Sequence, residues 1–263
     1  MTFNPHNPLL DMYRDLRHAQ TLHTASEVFL TDGEKITLTI LESGLNIVSI
    51  LLTEELFAKH DSLIKSRVSD DQILMMPKKD MDALVGINLH SPMMSIVQNP
   101  PASEIQSLKS PIIALNGIVN SDNVGGIIRN AIGLGFESLL FDSRTSSPFL
   151  RRSIRVSMGS IAYAHCGFSR VLLEDLQRLR SEKGLKIVSA EISSGSKPLD
   201  ECTFPKDFIL VLGSEGNGID KEILAISDEI IHIEMDSRVK SLNVSSSSAI
   251  ILNAARQRNQ HCG

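Results

Sequence analysis

The chain has 263 residues with a net charge of −5, and 42% of its residues are hydrophobic and 22% charged. This composition excludes a disordered chain, and no apolar run approaches the ~20 residues that span a bilayer. The acidic charge and the absence of Trp argue against a protein that coats nucleic acid indiscriminately or stacks single strands on an aromatic platform.

The cysteines indicate whether disulfides or a metal site are expected, and the first residues indicate whether a secretory signal is present. Cys166, Cys202 and Cys262 are far apart and form no CxxC pair, so we predict neither a disulfide framework nor a metal site, and we expect buried, apolar cysteines. The start, MTFNPHNPLL, lacks a basic segment followed by an apolar stretch. We therefore expect a cytoplasmic protein with no secretory signal.

Residues 1–98 alternate between helical and strand-like patterns, which predicts a small α/β domain. The predicted helices are LLDMYRDLRHAQTL, DGEKITLTILESG, TEELFAKHDSLIK and KKDMDALVG, and the predicted strands are EVFL, NIVSILL, QILMM and MMSIVQ. The stretch NPPASEIQSLKSP, residues 99–111, combines proline, serine and charge between two apolar strands. It is the predicted linker.

Residues 112–263 restart the alternation and form the second predicted domain. The predicted strands are IIALNGIV, ESLLFD, a short one near AYAHC, LKIVSA, FILVLG and EIIHIEM. Helices are predicted from Asn123, over LRRSIRVSMGSI, LLEDLQRLRSEKG and IDKEILAIS, and from Val244 to Gln257. Apolar strands separated by helices predict an α/β fold with a mostly parallel sheet that is covered on both faces.

The stretch NSDNVGGIIRN, residues 120–130, forms a corner between a strand and a helix. Ser121, Asp122 or Asn123 is predicted to cap the helix, and the two glycines that follow allow another backbone or an anion to approach its first turn. Arg129 is predicted on the helix face opposite the packed one. The alternative is an ordinary β-α unit with a solvated arginine, and the glycines do not match a dinucleotide fingerprint.

Two later stretches combine glycines and polar groups at strand ends. VLGSEGNGID, residues 211–220, runs from an apolar strand into three glycines around Glu215, which indicates backbone wrapped close to a ligand or, alternatively, a simple turn. SLNVSSSS, residues 241–248, leads into the last helix, and Ser241 or the later serines are predicted to cap it. An ordinary capped C-terminal helix is the alternative there.

A basic segment lies between the first two of these stretches. SRTSSPFLRRSIRVSMGS holds four arginines, which we predict to bind nucleic-acid phosphates: Arg144, Arg151, Arg152 and Arg155. The alternative is a solvated helix face with scattered ion pairs. His165, which follows, is predicted to pack rather than to take part in chemistry.

The three stretches, taken in order, resemble the motifs of the TrmH (SpoU) branch of the SPOUT RNA methyltransferases. The resemblance covers about 150 residues, from Asn123 and Arg129 through LGSEGNG to SLNVS. It implies a C-terminal domain with a trefoil knot, and residues 9–98 are similar to the RNA-binding domain in front of many members. Glu234 departs from the proline usual in the family, and serines replace the Val and Ala that often follow the third motif.

The resemblance also implies a reaction and a site. It implies methyl transfer from S-adenosylmethionine to a ribose 2'-hydroxyl of ribosomal or transfer RNA by a homodimer. Gly213, Gly216, Ile233 and Leu242 would hold the cofactor. The implied catalytic residues are Arg129, Asn123, Glu215, Ser241 and Asn243. The alternatives are an RNA-binding or ribosome-assembly protein with the same fold but no turnover, and a different nucleotide-dependent α/β enzyme.

Overall fold

The computed structural model describes residues 7–16 and 19–261, with only the backbone described for the last four of these. The chain divides into two compact units. The first runs to Pro100 and includes Phe149–Ala162, and the second consists of Pro101–Pro148 and the chain from Tyr163 onward. The segment Phe149–Ala162 thus groups with the first unit, although it falls inside the predicted domain 112–263. The functional roles assigned to 1–98, 99–111 and 112–263 stay predictions.

The strands and helices follow the predicted alternation closely. The strands are β1 Val28–Asp32, β2 Ile47–Leu52, β3 Ile73–Met75, β4 Met93–Gln98, β5 Ile112–Asn116, β6 Ser138–Asp142, β7 His165–Ser169, β8 Lys186–Ala190, β9 Lys197–Pro198, β10 Phe208–Gly213 and β11 Glu229–His232. The helices are α1 Gln20–Ala25, α2 Glu34–Ser43, α3 Glu54–Arg67, α4 Lys78–Val85, α5 Ser121–Gly133, α6 Arg151–Ser157, α7 Leu172–Lys183, α8 Lys221–Ile226 and α9 Val244–His261.

The first unit contains a mixed sheet in the order β1-β4-β2-β3. β4 is antiparallel to both of its neighbours, and β2 and β3 are parallel. α2 and α4 end at Gly44 and Gly86, which both adopt the left-handed conformation that terminates helices. The predicted stop at Gly44 is therefore confirmed, and Gly86, the last residue of the predicted segment KKDMDALVG, ends α4.

The long helix predicted over residues 9–22 is wrong. A short 3₁₀ helix, Pro8–Tyr13, is separated from α1 by Asp15, which has a φ of 43°. The backbone N–H groups of Asp15 and Leu16 donate to the carbonyls of Leu84 and Val85 at 3.1 and 3.0 Å, instead of continuing a helical ladder. Tertiary hydrogen bonds to the end of α4 thus override the local helical pattern. Arg17 and His18 of that segment lie outside the described residues.

The second unit contains a parallel sheet in the order β7-β6-β5-β10-β8-β11-β9. Its strands are parallel at every pairing, so the predicted parallel sheet is confirmed. The chain leaves β5 toward β6 and β7 on one side and later fills the other side with β8, β10 and β11. Parallel sheets bind ligands at their carboxyl edge near such a reversal of strand order.

One face of this sheet packs against α7 and α8. Ile112, Leu140, Ile209 and Val211 from three strands form a buried cluster with helix side chains such as Leu176. This close-packed layer holds the strand ends in fixed register, which matters because the loops at their carboxyl edge form the candidate site.

The cap of α5, an edge strand and the position of His165 differ from the predictions. Asn120 caps α5 by accepting a hydrogen bond from the Asp122 N–H at 2.8 Å, so the predicted caps at Ser121, Asp122 and Asn123 are wrong. The short edge strand β9 was not predicted. His165 is exposed on β7 and does not pack in the core, whereas Cys166 and Cys202 are buried as predicted, and Cys262 lies outside the described residues.

The described residues contain neither a membrane-spanning helix nor a cluster of metal ligands. None of the described helices is both long enough and apolar enough to cross a membrane. Within the same residues, no group of three or more His, Cys, Asp or Glu side chains is placed to hold a metal ion.

Candidate functional site

A cavity of about 500 Å³ opens at the carboxyl edge of the parallel sheet. It is enclosed by the segments that follow β8, β10 and β11 and by the start of α9. The four predicted cofactor-binding residues, Gly213, Gly216, Ile233 and Leu242, all line it. Two predicted catalytic residues, Glu215 and Ser241, line it as well. Folding thus brings the second and third sequence motifs to one cavity.

The cavity wall combines apolar and polar groups. Leu224, Met235, Val244 and Ile251 supply apolar surface. Three further side chains that the sequence analysis did not single out add titratable groups: Glu191, Lys221 and His232. A cavity that combines apolar walls with convergent polar groups is typical of sites for small organic ligands.

Asn243 joins all three sequence motifs. Its Nδ2 donates to Asn123 Oδ1 at 2.8 Å and to Glu215 Oε1 at 2.7 Å. Its Oδ1 accepts from the backbone N–H groups of Ser245 and Ser246 at 2.8 and 3.3 Å. Asn243 is therefore the cap of α9, and the predicted caps at Ser241 and in the serine run are wrong.

Small side chains allow α5 and α9 to pack closely. A Cβ atom on Gly126 would lie 2.0 Å from Ser245 Oγ, so the helices approach each other where α5 has no side chain. One turn later, Asn130 Nδ2 donates to the Ser245 carbonyl at 2.7 Å and to Ser248 Oγ at 3.0 Å. The first glycine-rich motif therefore serves helix packing as well as the corner.

The two departures from the family pattern now have structural positions. Glu234 is exposed and does not line the cavity. Of the serine run, Ser245 and Ser248 contact α5, and Ser247 lines the cavity. The departures therefore leave the apolar walls intact and add one hydroxyl group to the lining.

The glycines after β10 shape the loop in different ways. A Cβ on Gly213 would lie 2.5 Å from the backbone carbon of Gly218, because the two arms of the loop close on each other. Gly216, at the tip, would place a Cβ in open space. Gly213 is thus required by the closure of the loop, whereas Gly216 leaves open space on the cavity side.

Of the predicted catalytic residues, Arg129 alone neither lines the cavity nor takes part in the hydrogen bonds around Asn243. It is exposed on α5 and does not line the cavity of its own chain. Within the described part of the chain its guanidinium has no hydrogen-bond or ion-pair partner. The neighbouring Asn130 holds the rotation of α5, so Arg129 is presented to the surface at a fixed position along the helix.

Arg144 belongs to a polar network that ties three strand ends together. Its guanidinium pairs with Asp142 and Asp220, while Asn116 Nδ2 donates to the same two carboxylates at 3.1 and 2.9 Å. Burial would raise the pKa of Asp220, but the hydrogen bonds from Asn116 and Arg144 outweigh that effect and lower it. The hydrogen bond to Asp220 likewise raises the pKa of Arg144. A phosphate would have to compete with two carboxylates for Arg144.

The other three arginines of the basic segment lie in the first unit, on α6. Arg151 forms an ion pair with Asp32 at 2.6 Å and is partly buried, so it anchors α6 to β1. Arg152 and Arg155 are exposed. Their binding to RNA stays a prediction.

The chain matches a known protein family and is similar to several known proteins. Residues 110–253 match the SpoU rRNA Methylase family. An uncharacterized tRNA/rRNA methyltransferase of Mycolicibacterium paratuberculosis is 27% identical over 209 residues, which cover 75% of this chain and 66% of that protein. One of Mycobacterium bovis is 24% identical over 275 residues, covering 99% of this chain and 92% of that protein.

Solved structures with the same fold cover nearly the whole chain. An AdoMet-bound rRNA methyltransferase from Sinorhizobium meliloti has a TM-score of 0.82 at 20% identity, covering 97% of each chain. An RNA 2'-O ribose methyltransferase has a TM-score of 0.79 at 18% identity, covering 98% of each chain. The predicted fold is confirmed by these similarities, and the trefoil knot stays a prediction.

Proposed function

Because the chain belongs to the SpoU rRNA Methylase family, we propose that it transfers a methyl group from S-adenosylmethionine to a ribose 2'-hydroxyl of ribosomal or transfer RNA. The observation that carries this proposal is the single cavity that collects Gly213, Gly216, Ile233 and Leu242. Relatives named tRNA/rRNA methyltransferase support the substrate class, and similar structures named as AdoMet-bound and as 2'-O ribose methyltransferase support the cofactor and the acceptor.

The cavity residues fit S-adenosylmethionine. A volume of about 500 Å³ falls within the range of small-molecule sites. The apolar side chains of Leu224, Met235 and Ile251 suit a flat purine base, and the glycine loop at Gly216 leaves space beside it. When bound there, the cofactor would supply an activated methyl group. The chain's own residues then have to position the ribose and manage the proton of its hydroxyl group.

Arg129 is the residue that we assign to the acceptor hydroxyl. A guanidinium group stays protonated at any physiological pH, so it does not act as a base. It stabilises negative charge on the ribose oxygen as that oxygen passes its proton to solvent water and accepts the methyl group, and it anchors an adjacent phosphate through paired N–H donors. Both roles require an exposed, unpaired guanidinium, as found at Arg129 within the described residues.

The position of Arg129 supports a homodimer with shared sites. Arg129 does not line the cavity of its own chain. We propose that each Arg129 serves the cavity of the other subunit, so that a single chain is incomplete. The bridge from Asn123 through Asn243 to Glu215 then fixes the first turn of α5 to the glycine loop after β10, residues 213–218, which we call the cofactor loop. Ser241 hydrogen-bonds near the nucleotide.

RNA contacts extend beyond the cavity in this proposal. The exposed Arg152 and Arg155 bind phosphates, and the domain over residues 1–98 selects the RNA by its shape. We also propose a cytoplasmic location, where ribosomal and transfer RNA are available as substrates.

The test uses purified protein, methyl-labelled S-adenosylmethionine and fractionated RNA from cells that lack the modification. We expect label on one RNA class with the wild type and no label on any RNA class with Arg129→Ala. Lys206→Ala is the matched control, because it removes an exposed cation before β10, at the opposite edge of the sheet. Absence of label from all fractions, with cofactor binding intact, would instead support an RNA-binding protein without turnover.

A further inference from the structure

Glu191 lines the same cavity but belongs to none of the three sequence motifs. It follows β8 directly, at the carboxyl edge of the sheet. Its Oε1 accepts from the Ile192 N–H at 3.0 Å and its Oε2 accepts from the Ile219 N–H at 2.9 Å. Among the described residues, no Lys, Arg or His forms an ion pair with it.

The surrounding backbone holds this carboxylate in place. The N–H of Glu191 donates to the Ile231 carbonyl at 3.0 Å, which ties the residue to β11. Gly218, with a φ of +67°, makes room for it, because a Cβ there would lie 2.3 Å from Glu191 Oε2. Three segments of the cavity wall therefore converge on one carboxylate.

The hydrogen-bonding capacity of this carboxylate is only partly used. Each carboxylate oxygen accepts along about two lone-pair directions, and each of these oxygens uses one on a backbone N–H. One direction remains on each oxygen, and the side chain lines the cavity. Two adjacent acceptors match two adjacent donors, and in nucleotide-binding parallel sheets an acidic residue commonly binds the ribose hydroxyls.

We propose that Glu191 binds the 2'- and 3'-hydroxyls of the cofactor ribose and thereby determines selectivity for a ribose over a deoxyribose cofactor. This inference rests on the proposed use of S-adenosylmethionine. The cofactor carries two other donors, the purine amino group and the ammonium group of its methionine part. The purine amino group is a single site, and it matches the paired acceptors less well than a diol does.

The test measures binding calorimetrically, without turnover, using S-adenosylhomocysteine and its 2'-deoxy, 3'-deoxy and desamino analogues. We expect each deoxy analogue to bind the wild type about 10-fold or more weakly, because it leaves a hydrogen bond to a charged group unmade. In Glu191→Gln that penalty shrinks to about 3-fold or less, and Glu191→Asp is the second variant. Glu222→Gln, an exposed carboxylate outside this cavity, is the matched control and keeps the wild-type values.

The outcomes separate this inference from the proposed function. Wild type that binds neither S-adenosylmethionine nor S-adenosylhomocysteine contradicts the proposed function itself. Wild type that binds both without a deoxy penalty contradicts the role of Glu191 alone. An equal deoxy penalty in wild type and Glu191 variants shows that Glu191 only supports the loop, and a penalty confined to the desamino analogue assigns Glu191 to the ammonium group.

Discussion

Asn243 donates a hydrogen bond of 2.8 Å to Asn123, although the two residues are 120 positions apart in the sequence. The same amide group donates to Glu215 and caps α9. One side chain thus connects the first turn of α5, the cofactor loop and the last helix. This connection explains why the three motifs form one site, and it gives the first prediction.

Replacing Asn243 separates its two roles. Asn243→Ala removes the cap and the bridge, so we expect a loss of about 1 kcal/mol in unfolding free energy and a strong loss of methyl transfer. Asn243→Ser keeps a capping oxygen but cannot reach both Asn123 and Glu215. It should keep most of the stability and lose activity, as measured by denaturant unfolding and label transfer. Full activity in Asn243→Ser would show that the bridge is dispensable.

The contact of Gly126 with Ser245 predicts a stability effect. In Gly126→Ala the added Cβ would overlap Ser245, so we expect about 1–3 kcal/mol of destabilisation in thermal or denaturant unfolding. Adding Ser245→Gly should restore part of it. Gly133→Ala is the control on the same helix, since its Cβ meets nothing within 4 Å, and it should be neutral or slightly stabilising. Equal effects at both glycines would contradict the close packing of α5 and α9.

Two glycines of the cofactor loop should respond differently to the same substitution. Gly213→Ala forces a Cβ against the backbone of Gly218, which cannot move aside cheaply, so we expect lower stability together with weaker cofactor binding. Gly216→Ala adds a methyl group in open space beside the cavity. It should leave the melting temperature unchanged and weaken only cofactor affinity. A melting temperature lowered equally by both would contradict the loop closure described above.

The sequence predicted the local structure well where a glycine ends a helix or an apolar run forms a strand. Gly44 and Gly184 end their helices as expected, and apolar runs such as the one in β10 are central strands. It failed where distant groups decide the outcome. The break before α1 depends on the carbonyls of Leu84 and Val85, which no local pattern reveals.

The same distinction applies to the site. The resemblance to the family motifs predicted that Gly213, Gly216, Ile233 and Leu242 hold one cofactor, and all four line the cavity. Glu191 was missed because a single carboxylate after a strand has no distinctive pattern. The pairing of Arg144 with Asp220 was also missed, because it joins residues from separate strand ends.

Asp228 predicts a stability that depends on pH. It accepts from the Ile187 N–H at 2.9 Å and pairs with Arg180 and Lys186; burial would raise its pKa, but these contacts lower it. A lowered carboxyl pKa stabilises the fold above the ordinary value of about 4, and this contribution disappears as the pH falls through the lowered pKa. Asp228→Asn should therefore be less stable than wild type at neutral pH, and the difference should vanish toward low pH.

Asp236→Asn is the control when the unfolding free energies of Asp228→Asn and wild type are measured across pH. The pKa of Asp236 is also lowered, by hydrogen bonds from Arg238, but both side chains are exposed. Exposed ion pairs contribute little to stability, so this variant should follow the wild type at every pH. A pH-independent deficit in Asp228→Asn would show that its effect is steric rather than electrostatic.

Shared sites predict rescue between two inactive variants. Arg129→Ala removes the arginine, and Leu242→Arg fills the cavity, so each homodimer should be inactive. In co-expressed mixed dimers, the open cavity of the first chain would face the intact arginine of the second. We expect about one quarter of wild-type activity if subunits pair at random, since half of the dimers hold one working site. No rescue would contradict an Arg129 that acts across the dimer.

The most direct test of the account is the chemical position of the transferred methyl group. After reaction with labelled cofactor, the RNA is hydrolysed in alkali, which needs a free 2'-hydroxyl to cleave the chain. The account predicts label in alkali-resistant dinucleotides, with none for Arg129→Ala. Label released in mononucleotides would place the methyl group on a base and contradict ribose methylation.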